Sequence, residues 1–255
     1  MPSSDPPRTI QDVIARLEAI IDEAIVGSGR IGYFAALYQR VTVSVRRALL
    51  AGNVFQDGPR MERLDVAFAG RFLEAWDQHR DGHSPSAPWR VALSFLDDPE
   101  LLIVQHLGLA MNAHINLDLG IAAAEVMEGK VLDELEPDFD TINGILGRLI
   151  GIVQVQLAEV SPRFAGIERV APVAENRIFG KVLDGLRDEA WALARALHEA
   201  PDAERRRELV ERRAEEVAGF GRDIAEPGFI LDKAEDWIGA KESKDVRYNI
   251  QILGE

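Results

Sequence analysis

A histidine and an aspartate lie four residues apart in an apolar stretch of the chain, residues 105–125. On a helix, His114 and Asp118 occupy adjacent turns of one face, so their side chains can meet. A carboxylate that holds one imidazole tautomer and tunes its pKa toward neutrality supports acid–base catalysis. The same spacing suits two ligands of one metal ion. The third interpretation of this pair is a purely structural hydrogen bond in the core.

A second histidine and a second carboxylate add to this possible chemistry. His106 lies about 12 Å from His114 along a helix axis, which is too far to share one ion, so we expect a separate role for it. Asp65 shares a helical face with aromatic residues and would have a raised pKa if it were unpaired. The predicted catalytic residues are therefore His106, His114, Asp118 and Asp65. In this prediction His114 is the base or a metal ligand, Asp118 orients it, and Asp65 is the acid or a further ligand.

Amide and aromatic side chains near these groups are candidates for binding a substrate. Gln105, Asn112 and Asn116 form a second polar seam of the 105–125 stretch, which suits either substrate orientation or a hydrogen-bond ladder to another helix. We favour the ladder for the seam as a whole, and an aromatic stripe at helical spacing is more often core. The residues predicted to bind substrate are Asn112, Asn116, Tyr38, Arg71 and Trp76.

The 105–125 stretch has no side polar enough to face water, so it is predicted to be a buried central helix. Amphipathic periodicity and start and stop signals predict further helices at about 9–24, 32–50, 60–78, 89–96, 142–160, 176–198 and 229–239. Residues 200–216 are predicted to be a charged, solvated face. The fold prediction is all-α: one globular helical domain of about eight helices, residues 1–255, in which 1–8 is a disordered lead and 240–255 is a tail docking on the body.

The composition of the chain excludes several classes of function. Forty-three acidic and 29 basic residues give a formal charge of −14, which argues against binding to nucleic acid and to an anionic membrane surface. The absence of cysteine excludes thiol nucleophiles and iron–sulfur clusters. No serine-hydrolase elbow, nucleotide-binding loop or dinucleotide fingerprint is present. We predict a cytoplasmic protein with a small-molecule ligand, and the sequence leaves its oligomeric state open.

Two segments resemble a bacterial and fungal family known as Domain of Unknown Function 5995. They are NVFQDGPRMERLDVAFAGRFLEAWD and LLIVQHLGLAMNAHINLDLGIAAAEV, and the likeness covers roughly residues 30–200 with its strongest run at 105–120. The resemblance implies a common fold and a common polar core but no reaction. The central helix is also loosely similar to one in helical zinc-dependent phospholipase C and nuclease enzymes, although Ala110 stands where those have a carboxylate. That likeness would imply a metal-dependent hydrolase.

Together these features predict an enzyme that acts on a small, largely apolar molecule through a buried His/Asp/Asn core. One form is a metal-dependent hydrolase, with a divalent ion at His114 and Asp118 and further ligands among Asp65, His79, His83, Asp138 and Asp140. The other form is a metal-free cyclase or isomerase. The rival is a non-catalytic binding or interaction protein whose polar core only specifies packing. A cavity that reaches His114 would favour the enzyme, and a filled core with every polar group paired would favour the rival.

Overall fold

Ten α-helices make up the described part of the chain in a computed structural model, which describes residues 5–164, 175–226 and 237–255. No strand occurs in these ranges, so the all-α, single-domain prediction is confirmed and the expected count of about eight helices is slightly low. Positions 1–4 of the predicted lead and 229–236 of the predicted last helix lie outside the described residues. The helices are α1 (Ile10–Gly27), α2 (Ile31–Ala51), α3 (Gly58–Arg80), α4 (Ala87–Ser94), α5 (Ile103–Ala113), α6 (Leu119–Val126), α7 (Glu136–Val160), α8 (Glu175–Glu199), α9 (Ala203–Ala225) and α10 (Val246–Gly254).

Several of these helices have a side chain that caps their N-terminus. Thr9 forms a capping box with Asp12 at the start of α1, as its position in the sequence predicts. Asp57 and Asp202 accept hydrogen bonds from backbone N–H groups in the first turns of α3 and α9. These contacts satisfy donors that have no partner within the helix, so they fix where each helix begins.

The central helix lies at the middle of the fold. It runs through α5, a π-helical segment at His114–Asp118, and α6. The sequence predicts one regular helix, and the structure differs because the π segment inserts a wider turn at the predicted site. Most of its apolar positions are buried, among them Leu109, Ala113, Leu117 and Ala122.

Close contacts hold neighbouring helices against this centre. A Cβ at Gly120 on α6 would lie 2.6 Å from the carbonyl oxygen of Ala190 on α8, so the two backbones can approach only with glycine there. At the C-terminus, α10 buries Ile250 and Leu253 against the core cluster that also contains residues of α1 and α2.

Helix α7 differs from the others in its exposure. The stretch Leu132–Val160 is long and apolar enough to cross a membrane, with a mean hydropathy of 1.3, but a single helix of this kind is weak evidence for a membrane span. Its outer face exposes Ile152 and Val155. Its inner face, which includes Leu146, Leu149 and Val153, forms one wall of a cavity.

Candidate active site

An apolar cavity of about 370 Å³ lies beside the central helix. Helices α2, α3, α5, α6, α7, α8 and α9 contribute to its wall, and Phe220, which also lines it, is 47% exposed, so the cavity reaches the surface near α9. This volume is in the range of small-molecule binding sites. The lining is mostly aliphatic and aromatic, and its polar side chains are Tyr38, Asp65, Asn112, His114, Gln154 and Arg187.

The predicted pair of His114 and Asp118 is in contact. The Nδ1 atom of His114 lies 3.2 Å from Oδ2 of Asp118, and both side chains are 2% exposed. Trp89 donates its indole N–H to the same carboxylate oxygen at 2.7 Å. Arg71 donates from Nε to Oδ1 at 3.3 Å. Three donors from different parts of the chain therefore compensate the buried charge of Asp118.

These contacts determine which nitrogen of His114 is free. Because the carboxylate of Asp118 accepts the hydrogen bond, the proton of the neutral imidazole lies on Nδ1 and the lone pair lies on Nε2. Burial lowers the pKa of His114, although the hydrogen bond that Nδ1 donates to Asp118 opposes that shift. Nε2 is buried and has no hydrogen-bond partner within the described residues. His114 therefore presents an unprotonated nitrogen at neutral pH.

Aromatic rings hold this imidazole in place. Phe68 lies flat on the His114 ring, with a centroid distance of 3.7 Å and an angle of 7°. Tyr38 meets it edge-on at 4.6 Å, and Phe34 does so at 5.7 Å. With the hydrogen bond to Asp118, this packing leaves the ring one orientation.

Two further polar groups on the cavity wall have unpartnered atoms. Oδ2 of Asp65 and the hydroxyl of Tyr38 are buried without a hydrogen-bond partner in the described part of the chain. Burial and the charge of Glu62 raise the pKa of Asp65 to about 7. Burial and the charges of Asp65 and Asp118 raise the pKa of Tyr38 well above 10. The Tyr38 hydroxyl therefore keeps its proton at neutral pH, and the Asp65 carboxyl group is mostly neutral below about pH 7.

The same groups converge on one part of the cavity. Asp65 and Phe68 are one helical turn apart on α3, and Phe68 covers His114. The Tyr38 ring contacts both Phe68, at 6.0 Å, and His114. The structure thus brings together three of the residues predicted from the sequence, with a fourth, Asp118, directly behind His114.

His106, the remaining residue predicted to be catalytic, does not line the cavity. It is 6% exposed and its ring meets that of Tyr33 edge-on at 5.9 Å. Burial lowers the pKa of His106 to about 4. Its catalytic role stays a prediction, and the geometry separates it from the other groups.

The amide seam forms a hydrogen-bond ladder between the central helix and α9. Asn112 donates to the carbonyl of Val217 at 2.8 Å and accepts from Asn116 at 3.0 Å. Arg213 in turn donates to the side-chain oxygen of Asn116 at 3.0 Å. Gln105 donates to the carbonyl of Ile224. Asn112 also lines the cavity, whereas Asn116 does not, so substrate binding stays a prediction for both.

Arg71 and Trp76 were also predicted to bind substrate, and neither lines the cavity. Arg71 holds Asp118 and the exposed Glu125, the latter at 3.3 Å. Trp76 stacks on His79 at 5.7 Å. These contacts indicate that Arg71 supports the site from behind and that Trp76 belongs to the packing of α3.

The site does not fit a metal ion well. No group of three or more His, Asp or Glu side chains in the described ranges lies close enough to hold one. Both oxygens of Asp118 already accept protein donors, one of them from the cation of Arg71. Asp138, a further ligand candidate, is 1% exposed and is paired with Arg60 at 2.8 Å. A metal centre at His114 and Asp118 remains only a sequence-based prediction.

Sequence reasoning missed Trp89 and the role of Phe68. Trp89 lies in the first turn of α4, 29 residues before Asp118 in the sequence, and no local pattern connects the two. Phe68 is one of the aromatic residues on the helical face that carries Asp65, and the sequence does not predict that it stacks on His114. Its spacing from Asp65 was the one available signal that α3 faces the histidine.

Comparison with known proteins gives a family and no activity. The model of a family of unknown function (DUF5995) matches residues 10–227. A search of curated proteins and a search of solved structures each found no match. The chemistry of the site must therefore be inferred from its own geometry.

Proposed function

For this chain, which belongs to a family of unknown function (DUF5995), we propose that the cavity is the active site of a metal-free acid–base enzyme acting on a small, largely apolar molecule. The observation that carries this proposal is the coincidence of three unpartnered buried polar atoms on one apolar cavity. An unsatisfied buried polar group costs about 1–3 kcal/mol, which a purely structural core would avoid. Bound substrate would satisfy all three.

Each residue has a role that its contacts support. His114 is the general base through Nε2, because its other nitrogen is held by Asp118. Asp118, Trp89 and Arg71 position the imidazole and stabilise it when it becomes protonated. Asp65, with its pKa raised to about 7, is the acidic group, which in its neutral form donates a hydrogen bond to the bound molecule.

The non-catalytic rival is supported by one part of the core only. The amide ladder between the central helix and α9 is paired as a structural core requires. The His114 side of the same helix instead faces open volume with unpartnered atoms. The net charge of −14 supports the further proposal that the protein has no nucleic-acid partner.

The base can be tested with a generic substrate, 5-nitrobenzisoxazole. A base that removes its single heterocyclic C–H proton breaks the N–O bond and releases a coloured nitrophenolate, with no cofactor. Its size, about a dozen non-hydrogen atoms, matches the cavity at roughly 30 Å³ per atom. We expect the wild type to open the ring at least about 100-fold faster than His114→Gln. His83→Gln, which changes an exposed histidine, serves as the matched control.

Equal rates of ring opening for the wild type and His114→Gln would refute the proposal.

A second pair of variants tests the orienting role of Asp118 in the same assay. In Asp118→Asn the amide N–H groups face the donors of either His114 and Trp89 or Arg71, so one set of hydrogen bonds is lost. We therefore expect the rate of ring opening to fall by about 100-fold. Glu125→Gln removes the exposed partner of Arg71 and should leave the rate unchanged.

A further inference from the structure

Two of the three unpartnered atoms in the cavity belong to groups that donate when they are neutral. The Tyr38 hydroxyl comes from α2, and the Asp65 carboxyl group comes from α3. The Tyr38 hydroxyl oxygen and Oδ2 of Asp65 are buried, and neither has a hydrogen-bond partner among the described residues. Nε2 of His114 has one lone pair and cannot accept from both O–H groups. We therefore expect the missing acceptor to be an oxygen atom of the ligand.

We infer that the substrate is a small apolar ketone or enone whose carbonyl oxygen binds between the Tyr38 hydroxyl and the Asp65 carboxyl group, with a C–H bond next to the carbonyl facing Nε2 of His114. This inference rests on the proposed function and adds the substrate class to it. In this arrangement Tyr38 and Asp65 do more than bind the substrate, because they also stabilise the negative charge that develops on its carbonyl oxygen during the reaction.

The protonation states of the groups agree with that arrangement. The pKa of Tyr38 is well above 10 because of burial and two nearby carboxylates, so its hydroxyl keeps its proton. Asp65, with a pKa of about 7 from burial and the charge of Glu62, keeps its proton in slightly acidic and much of neutral solution. A tyrosine and a neutral carboxylic acid together form an effective oxyanion hole in an apolar site.

The reaction is a proton transfer that needs no co-reactant. Nε2 of His114 takes a proton from the carbon next to the carbonyl, so that a C–H bond breaks and an N–H bond forms. The electron pair forms a C=C bond, and the carbonyl pair moves to the oxygen, which Tyr38 and Asp65 stabilise. The proton then returns from Nε2 to the same carbon or to a conjugated one. The net result is racemisation or a shift of a double bond, with no oxidation or reduction.

The remaining wall of the cavity limits the rest of the substrate. Apart from Asn112, Gln154 and Arg187, the other lining side chains carry no polar group beyond the three already described. Asn112 already makes two hydrogen bonds in the ladder, and Arg187 donates to the carbonyl of Phe139 and lies over its ring. The substrate body is therefore an apolar ring or branched chain of about a dozen non-hydrogen atoms.

The test compares two probes of nearly identical shape, 2-naphthol and naphthalene. The naphthol oxygen mimics the enolate oxygen, and naphthalene lacks it. At about pH 6, below the pKa of Asp65, we expect the wild type to bind 2-naphthol about 10-fold or more tightly than naphthalene, measured by fluorescence titration. Tyr38→Phe and Asp65→Leu should each reduce that preference to near unity while naphthalene binding is retained. Tyr248→Phe, a change at a partly exposed tyrosine outside the cavity, should keep the wild-type preference.

Naphthalene binding shows in every variant whether the cavity has folded. If Tyr38→Phe abolishes naphthalene binding, Tyr38→Leu replaces it in the test. If Asp65→Leu does so, Asp65→Val replaces it. Equal affinity of the wild type for both probes, or a preference that survives both substitutions, would overturn the inference. Because ring opening of 5-nitrobenzisoxazole depends on His114 and not on a carbonyl oxygen, that assay separates failure of the substrate class from failure of the proposed function.

Discussion

One hydrogen bond at His114 determines which of its nitrogens can act as a base. Asp118 accepts from Nδ1 at 3.2 Å, and the carboxylate is itself held by Trp89 at 2.7 Å. The imidazole is thus oriented by a group that cannot easily turn away. Phe68 blocks one face of the ring, at 3.7 Å. The proposed base is positioned before any ligand arrives, which lowers the entropic cost of the reaction.

Asp65 should make the stability of the protein depend on pH. Burial and the charge of Glu62 raise its pKa to about 7, above the value of about 3.9 in an unfolded chain. Between these values the folded protein holds a proton that the unfolded chain has lost. The contribution of Asp65 to the free energy of unfolding is therefore full below about pH 4, falls as the pH rises to about 7, and is constant above that.

The substitution Asp65→Asn tests this prediction because the amide stays neutral. We expect the free energy of unfolding of Asp65→Asn, relative to the wild type, to increase by a few kcal/mol between about pH 4 and about pH 8. Urea unfolding at a series of pH values measures it. Glu18→Gln, a change at an exposed carboxylate of α1, should run parallel to the wild type. A constant difference between Asp65→Asn and the wild type would show that Asp65 is not perturbed in the fold.

For individual residues, the sequence predicts contacts within one helix but not contacts between helices. The contact of His114 with Asp118 follows from their spacing, and the raised pKa of Asp65 follows from its aromatic face. Trp89 and Tyr38 come from other helices, and their distances to the site depend on how the helices pack. For the same reason the sequence could not show that Trp76 faces away from the cavity.

At the scale of the elements, the π-helical segment is the main departure from the sequence-based picture. The sequence predicts a regular helix through 105–125, and the structure has a wider turn at His114–Asp118. Such turns often occur at functional sites, where they change the direction in which side chains point. Periodicity does not reveal this one, because the 105–125 stretch is apolar on nearly every side and has no single apolar stripe whose shift could be seen. The boundaries of α1 and α2, by contrast, follow caps and glycines that the sequence shows plainly.

Two glycines on different helices should respond in opposite ways to a methyl group. At Gly120 on α6, a Cβ would lie 2.6 Å from the carbonyl oxygen of Ala190 and 3.0 Å from the side chain of Leu193, so Gly120→Ala must push α6 and α8 apart. We expect a loss of about 1–3 kcal/mol in the free energy of unfolding. At Gly147 on α7, nothing lies within 4 Å, and Gly147→Ala should gain about 0.5–1 kcal/mol. Urea unfolding compares them, and two changes of the same sign would contradict the packing described here.

At the scale of the whole molecule, the cavity is the property that no single segment encodes. Its wall combines side chains from α2, α3, α5, α6, α7, α8 and α9 with the π segment, so its existence depends on the sum of many packing distances. The all-α class was predictable because each helix has its own local periodicity. A net charge of −14 likewise could be read directly, since it needs no structure.

Filling the cavity should separate stability from function. Val153 on α7 lines the cavity, and Val155, two residues later, is 69% exposed on the outer face of the same helix. Val153→Phe places a ring in open apolar volume. We therefore expect the free energy of unfolding to stay constant or rise by about 1 kcal/mol, because natural cavities are retained for function rather than for stability. Binding of naphthalene and ring opening of 5-nitrobenzisoxazole should both fall by about 10-fold or more as the site loses volume.

Val155→Phe provides the matched control, since the same substitution on the outer face of α7 leaves the cavity volume unchanged. It should retain both activities of the wild type, and urea unfolding, fluorescence titration and the colorimetric assay measure the pair together. If Val153→Phe lowered the free energy of unfolding by several kcal/mol, the space next to Val153 would be occupied by packed side chains rather than by an open cavity. If it kept full ligand binding, the apolar probes would have to bind elsewhere on the molecule. The predicted pattern, a stable protein with a blocked site, is the one that a cavity reserved for a substrate requires.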